Sequence, residues 1–362
     1  MKRGQGIKVL QVIKKADWVW SQRIVYEICK LAKEDSEIEM EVAVGEKGIL
    51  EEKLRNELGI TVHTIKNLIH PIKPNVDLKG YRELKNLIKQ NNYDIVHCHS
   101  TKAGILGRLA ASKLKTNKII YTVHGYWPIL QYEGIKRKMA ILLERFLAKK
   151  TTDLVLISKS DIDLSKKMKI GNEDKYRLIY NKITVEKDKI KKGVLRKELN
   201  INRKTKIIGN VSRVDNPKNP FLFVDIAKEY LKNNDNTLFV WVGDGRLKEQ
   251  AINYVKKLNL EDKVKFIGFR ENGIDYLNDF DLLLLTSNWE GVPITILEAI
   301  ELNIPILSTD VGGIKEIIGE RGVFNEGENI LERINEKLNS NTQKVFIKDN
   351  FSDYLKLYFE KQ

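Results

Sequence analysis

Asp281–Ile300 reads DLLLLTSNWEGVPITILEAI. Asp281–Leu285 has the uninterrupted apolar run of a buried strand, and Thr286–Gly291 supply the polar and glycine content of a turn. Beyond the turn, Pro293 suits the first position of a helix that continues through Ile300. Two carboxylates stand in this unit, Glu290 in the loop at the carboxyl end of the strand and Glu298 within the helix. Burying a charge without a partner is costly, so both are expected to hold something.

The same strand-then-helix alternation extends in both directions along the chain. Upstream, Lys206–Val211, Thr237–Val242 and Lys263–Phe266 read as strands, and downstream Ile304–Ser308 does. The first half repeats the scheme with Ile7–Ile13, Ile38–Val44, Asp94–Cys98, Lys118–Val123 and Asp153–Ile157, interleaved with helical patterns such as Tyr81–Gln90, Thr101–Lys115 and Ile135–Lys150. Alternating strand and helix implies parallel sheets covered on both faces. Two such blocks in 362 residues predict an α/β chain of two doubly wound, Rossmann-like domains facing across a cleft. The boundary is expected near the lysine-rich stretch Lys182–Arg196, giving domains 1–184 and 185–345. A short amphipathic helix within 346–362 is expected to pack back on the first domain.

Composition is that of a soluble globular protein, and no apolar run approaches the ~20 residues that span a bilayer. The N-terminal sequence passes from a short basic lead straight into a strand, unlike a signal peptide, so a cytoplasmic protein is expected. Cys29 and Cys98 fit no metal or disulfide spacing and read as small buried hydrophobes. The net charge of +14 is uneven: residues 1–180 hold 34 Lys/Arg against 21 Asp/Glu, and residues 181–362 hold 29 against 28. Such asymmetry favours a polyanionic partner for the first half, an anionic membrane surface or a nucleic acid, over simple solvation. No nucleic-acid-binding motif accompanies it. In Ile135–Lys150 an apolar stripe of Ile135, Met139, Leu142, Leu143, Phe146 and Leu147 is set among Lys136, Arg137, Lys138, Arg145, Lys149 and Lys150. The stripe either packs on the sheet with its bases in water or helps to dock the protein on a membrane.

The candidate chemistry lies in the loops of the second half. SRVDNPKNP places Arg213 and Lys218 in one loop after a strand, where two cations can clamp a diphosphate or merely be solvated. In GDGRL, Gly243 and Gly245 permit a close backbone approach or make a tight turn. The free N–H groups at the start of the Pro293 helix attract phosphate, whereas carboxylates accept hydrogen bonds from sugar hydroxyls. Eight residues at a rise of roughly 1.5 Å put Glu290 and Glu298 at most ~12 Å apart along a helix. That suits a ligand with a sugar at each end and phosphates between, the build of a nucleotide-sugar.

With the Arg213/Lys218 loop, VGDGRL, FIGF, EGVPITILE and its continuation IPILSTDVGGIKEII in this order, the chain resembles the family 4 glycosyltransferases of GT-B fold. In the first half, HCHSTKAGILGRLAA and IIYTVHGYWP resemble members that build capsule, O-antigen or other surface polysaccharide. The resemblance implies a retaining transfer from a nucleotide-sugar, with UDP the expected nucleotide, to a lipid-diphosphate-linked saccharide. Glu298 would bind the ribose hydroxyls and Glu290 those of the transferred sugar, with Gly291, Val292 and Pro293 beside them. Arg213 and Lys218 would neutralise the leaving diphosphate without an obligatory metal or other cofactor, and His124 would face the sugar. His124 can equally be a histidine capping a strand end, and the H-x-H of His97 and His99 reads as a strand terminus near the acceptor.

Two departures from the family pattern stand out. Trp18 and Trp20 occupy a loop where members often carry a Gly-Gly pair, and Asn181–Lys182 stands where Asn-Gly is frequent. The Asp-x-Asp matches at Asp161/Asp163 and Asp279/Asp281 read as a helix start and a strand entry, not as metal sites. Rival readings are a nucleotide-sugar epimerase or hydrolase on the same fold, or a non-catalytic binding subunit. Oligomeric state is not legible in the sequence.

Overall fold

The computed structural model describes residues 6–18, 20–69, 73–325, 327–339 and 349–360. Its chain divides into two compact units, one of Met1–Ile183 with Lys348–Gln362, the other Thr184–Ile347. Each is built on one parallel sheet.

The first sheet holds β1 (Ile7–Ile13), β2 (Ile38–Val44), β3 (Thr61–Thr64), β4 (Ile95–His99), β5 (Lys118–Val123), β6 (Asp153–Leu156) and β7 (Tyr176–Leu178). Their order is β3-β2-β1-β4-β5-β6-β7, so the winding reverses between β1 and β4. The second sheet holds β8 (Lys206–Val211), β9 (Thr237–Val242), β10 (Val264–Gly268), β11 (Leu282–Leu285), β12 (Ile306–Thr309) and β13 (Val323–Phe324). Its order, β10-β9-β8-β11-β12-β13, reverses between β8 and β11. In doubly wound sheets the loops at the carboxyl side of such a reversal diverge and leave room for a ligand.

The apolar runs became strands within one or two residues of the expected bounds. Three strands were not anticipated, β3, β7 and β13, and each is short and terminal to a pairing run. Val9, Leu10, Val12 and Ile13 on β1, and Leu282–Leu285 on β11, are buried as central parallel strands require. Cys29 and Cys98 are free and buried. No helix among the described residues is long and apolar enough to cross a membrane.

The expected C-terminal helix runs Asp353–Phe359; positions 346–348 and 361–362 of the stretch lie outside the described residues. It joins the first unit. Asn350 accepts from Tyr180 N at 3.0 Å and donates to Leu178 O at 2.7 Å, and Tyr354, Leu357 and Tyr358 are buried.

In the basic helix Gly134–Ala148 most of the stripe does not pack on the sheet. Ile135, Met139, Leu142, Leu143 and Phe146 are 74, 64, 59, 41 and 50% exposed; only Leu147 of the stripe is buried. The helix is held instead by its other side, where Glu144 meets Arg108 of the helix Thr101–Lys113. Arg108 Nη2 donates to both Glu144 oxygens, at 3.0 and 2.9 Å, and the guanidinium lies 3.8 Å from the Tyr121 ring centroid. Both members of the pair are buried, so removing one leaves an uncompensated charge. Glu144→Ala is therefore expected to cost about 3–5 kcal/mol of folding free energy. Arg108→Met with Glu144→Leu should cost much less. Denaturant melts of the three proteins test this, and equal losses would show that the ion pair is not what anchors the helix.

Candidate functional site

Glu290 and Lys218, 72 residues apart, meet at the reversal of the second sheet. Lys218 closes a short 3-10 turn, Asn216–Lys218, just beyond β8, and Glu290 lies in the loop after β11. Lys218 Nζ is paired with Glu290 Oε1, which also accepts from Ser287 Oγ at 2.6 Å. The side chains are only 15 and 9% exposed, so the pair is largely desolvated. That answers what Glu290 holds in the free protein.

The two loops are laced together around this pair. Asn288 N donates to Pro217 O at 2.8 Å, Asn288 Nδ2 to Asn216 O at 2.9 Å, and Thr286 Oγ1 to the carbonyls of Lys218 and Asn219. Thr295 Oγ1 donates to Val211 O at 3.0 Å, tying the first turn of the helix Ile294–Glu301 to the end of β8. A third loop closes over them. Gly312 has φ +60, and a Cβ there would stand 2.1 Å from Glu290 O, so only glycine fits.

Pro293 caps this helix with ψ 135, one position earlier than the sequence suggested. Its backbone is still extended, and the helix begins at Ile294. Val292 is 1% exposed, Gly291 O accepts from Gly313 N at 3.2 Å, and Glu298 lies buried in the helix.

Arg213 is placed differently from Lys218. Its side chain is 72% exposed and bonds Asp215 at 3.0 Å, a solvent-screened pair that leaves the guanidinium available. Burial pushes the Asp215 carboxyl above its usual range, against the pull of Arg213 and Lys218. The glycines of GDGRL support this loop. Gly243 has φ +151, and a Cβ on it would sit 1.9 Å from Ser212 O; one on Gly245 would meet Val214 O at 2.2 Å. Their close approach is to the neighbouring backbone. The structure thus gathers Arg213, Lys218, Glu290, Gly243 and Gly245 on adjoining loops of one unit, with Glu298 on the helix that follows.

Asp279 and Asp281 do other work at the far end of β11. Asp279 accepts from Gly193 N and Leu195 N at 2.7 and 2.8 Å, and Asp281 from Ile207 N at 2.8 Å. Asp161 N is capped by Ser158 Oγ at 3.0 Å at the start of its helix.

In the first unit the ends of β1, β4 and β5 carry a buried polar network of neutral groups. His124, just beyond β5, places Nε2 3.0 Å from His99 Nδ1. His99 Nε2 meets Gln11 Oε1 at 2.7 Å, and Gln11 Nε2 meets the Tyr358 hydroxyl at 2.7 Å. His97 spans Tyr358 and Thr122 at 2.9 and 2.7 Å. Desolvation lowers His97 and His124 to about 3 and holds His99 well below its usual value, so all three are neutral at pH 7. His97 and His99 are spent on this network and leave no open ligand set between them.

Trp20 opens the helix Trp20–Lys33 and stands edge-on to His124 at 5.5 Å between centroids. Trp18 packs against Tyr26 at 5.3 Å, with Lys53 Nζ 4.9 Å from its ring centroid. Sequence reading missed Gln11, Thr122 and Tyr358. The one signal was an amide inside the otherwise apolar strand IKVLQVI, since a buried polar group needs partners.

Two family models match consecutive stretches, Glycosyltransferase Family 4 over residues 21–187 and Glycosyl transferases group 1 over 191–351. An Escherichia coli UDP-Gal:alpha-D-GlcNAc-diphosphoundecaprenol alpha-1,3-galactosyltransferase is 35% identical over 247 residues, 66% of this chain. The chain spans 63% of that protein's length. The O-antigen biosynthesis glycosyltransferase WbnH of Escherichia coli is 27% identical over 347 residues, covering 95% of this chain and 90% of that one. Among solved structures, Anabaena HepE in complex with UDP and glucose superposes with a TM-score of 0.71 at 20% identity, over 94% of this chain and 91% of that one. That likeness bears on the fold alone. With matched models in both units, two parallel Rossmann-like sheets and the E-x7-E block in place, the chain belongs to the family 4 glycosyltransferases of GT-B fold.

Proposed function

We propose that the protein transfers a hexosyl group, with retention, from a UDP-sugar to a lipid-diphosphate-linked saccharide in surface polysaccharide assembly. The Lys218–Glu290 pair carries this reading. In a nucleotide-sugar the transferred ring is bonded directly to the distal phosphate, so the groups that bind the two must be neighbours. A cation and a carboxylate held side by side meet that condition. Lys218 has donors left for a phosphate oxygen, and Glu290 Oε2 can accept from a sugar hydroxyl while Oε1 keeps Lys218 and Ser287. Arg213 adds a second, exposed cation, Glu298 takes the ribose hydroxyls, and His124 accepts from a substrate hydroxyl.

Retention at such a site fits a front-face displacement. The bond from the sugar to the diphosphate breaks, and the departing oxygen helps take the proton of the acceptor hydroxyl that attacks from the same side. Stabilising the leaving charge then matters more than a strong protein base. The activity named for the galactosyltransferase relative, with its UDP donor and diphosphoundecaprenol-linked acceptor, supports these choices of donor and acceptor.

A lipid-linked acceptor gives the exposed stripe a purpose. Lys136, Arg137 and Lys138 are exposed beside Ile135 and Met139, so the helix presents apolar side chains among cations, as interfacial helices do. We read it as docking the protein peripherally on the anionic inner face of the cell membrane.

Three outcomes follow. Glu298→Ala should weaken binding of free UDP by roughly 1–3 kcal/mol, the cost of an unmade hydrogen bond to a charged group. Glu290→Ala should leave UDP affinity nearly unchanged and lower turnover. Titration calorimetry decides, and equal UDP affinity in wild type and Glu298→Ala would remove the ribose assignment.

If Arg213 and Lys218 carry the leaving charge, transfer should persist in excess chelator and collapse in Lys218→Ala or Arg213→Ala. Inactivation by chelator that a divalent ion restores would overturn the metal-free mechanism.

Finally, co-sedimentation with anionic vesicles should be strong at low salt and fall with added salt. Neutralising Lys136, Arg137 and Lys138 should weaken it by about 1 kcal/mol per residue. Equal binding to neutral and anionic vesicles would rule out the docking role while leaving the transferase reading intact.

A further inference from the structure

The network of the first unit links the C-terminal helix to His124, and the orientation of the Gln11 amide sets where each proton lies. Gln11, His97, His99 and Thr122 are fully buried and Tyr358 is 1% exposed, so water does not supply missing partners. Gln11 Nε2 donates to the Tyr358 hydroxyl, which leaves Gln11 Oε1 to accept; the proton in that second bond belongs to His99 Nε2. A neutral imidazole protonated on Nε2 has a bare Nδ1. The proton between His99 Nδ1 and His124 Nε2 is therefore on His124. His124 is left with a lone pair on Nδ1, a buried atom without a partner among the described residues. At the other end the Tyr358 hydroxyl, having accepted from Gln11, donates to His97 Nδ1, and His97 Nε2 donates to Thr122 Oγ1.

Every member of this chain spends one donor and one acceptor, so it reverses only as a whole. Turning the Gln11 amide would move each proton across its bond and make His124 Nδ1 a donor. The direction described leaves an unpaired acceptor at His124, whereas the reverse leaves an unpaired N–H, the rarer orphan among buried main-chain groups.

We propose that Tyr358 is a positioning residue: through Gln11 and His99, its hydroxyl keeps the His124 proton on Nε2 and the Nδ1 lone pair free to accept from a substrate hydroxyl. This rests on the role given to His124 above. Without the Tyr358 hydroxyl, Gln11 Nε2 loses its acceptor, and turning the amide trades that unpaired N–H for the one at His124 Nδ1, so neither direction is favoured. The form with His99 and His124 both protonated on Nδ1 then becomes populated beside the first, exchanging an acceptor for a donor.

The test uses the full chain with 15N-labelled histidine, long-range 1H–15N correlation to read the tautomers, and steady-state transfer kinetics. In wild type, His124 should show a protonated Nε2 and a bare Nδ1. In Tyr358→Phe it should move toward the Nδ1-protonated form, with turnover down about tenfold, the scale of one hydrogen bond, and affinity for free UDP unchanged. Gln11→Leu breaks the chain on β1 and should give the same loss of a single His124 tautomer, which keeps the test open if Tyr358→Phe does not fold. A wild-type His124 protonated on Nδ1, or a folded Tyr358→Phe with unaltered tautomer and turnover, overturns the proposal. His124→Ala separates the two readings. Full turnover in that variant removes the role of His124 and the proposal with it. Impaired turnover beside a fully active Tyr358→Phe overturns the positioning role alone.

Discussion

Lys218 and Glu290 leave water together, and much of the second unit exists to make that tolerable. Desolvating two ions is costly unless their geometry is fixed and their remaining valences are met. Ser287 Oγ supplies a second bond to Glu290, and the strand ends that deliver the two residues must be neighbours. In the order β10-β9-β8-β11 they are, because β8 pairs directly with β11. The cross-links from Asn288 and Thr286 keep the two loops from drifting apart, and Gly312 lets the third loop lie directly on the Glu290 carbonyl. Replacing that glycine would press a methyl group into backbone, so the DVGG sequence serves the pair although it touches neither charge.

The first sheet solves the same geometric problem with neutral groups. Gln11 and His97 are register partners on β1 and β4, and His99 and Thr122 are partners on β4 and β5. The hydrogen bonds between these strands run on the diagonal, His99 to Gln11 and His97 to Thr122, each two residues off register. Placing polar groups at these positions builds a row of donors and acceptors across the carboxyl half of the sheet. Burial keeps the imidazoles uncharged, so no counter-ion is needed; what must be controlled is proton position. The C-terminal helix contributes Tyr358 to this end, which gives its docking on the first unit a chemical consequence beyond packing.

Most of the fold was legible because central parallel strands are buried on both faces and advertise themselves as unbroken apolar runs, as DLLLL and KIIYTV do. The strands that escaped, Thr61–Thr64, Tyr176–Leu178 and Val323–Phe324, are two to four residues long, with patterns such as TVHT that turn cannot tell from strand. Local spacing also exposed the E-x7-E block. It could not show that Glu290 would find Lys218, because that adjacency comes from strand order over 72 residues. Pro293 was displaced by one position because proline restrains φ and leaves ψ open, and here ψ is extended. Gln11 was the overlooked clue.

Periodicity likewise located the stripe on the basic helix but not the direction it faces. What decides that is Glu144, one of two acids between Ile95 and Lys150. A carboxylate in so basic a segment has many exposed cations to choose from, yet Glu144 is buried on Arg108, which also stacks on Tyr121. Once that side of the helix is committed inward, the 100° step between successive residues carries Ile135, Met139, Leu142 and Phe146 to the opposite side. Leu147 follows Glu144 by three positions and goes inward with it, the one member of the stripe that does. The apolar face is therefore outward because a stronger constraint claims the other face, and it stays exposed at a cost to solubility. Such patches mark surfaces that meet a protein partner, a ligand or a membrane. The docking proposed above takes the membrane among these, because the cations beside the patch suit a surface with negative charge.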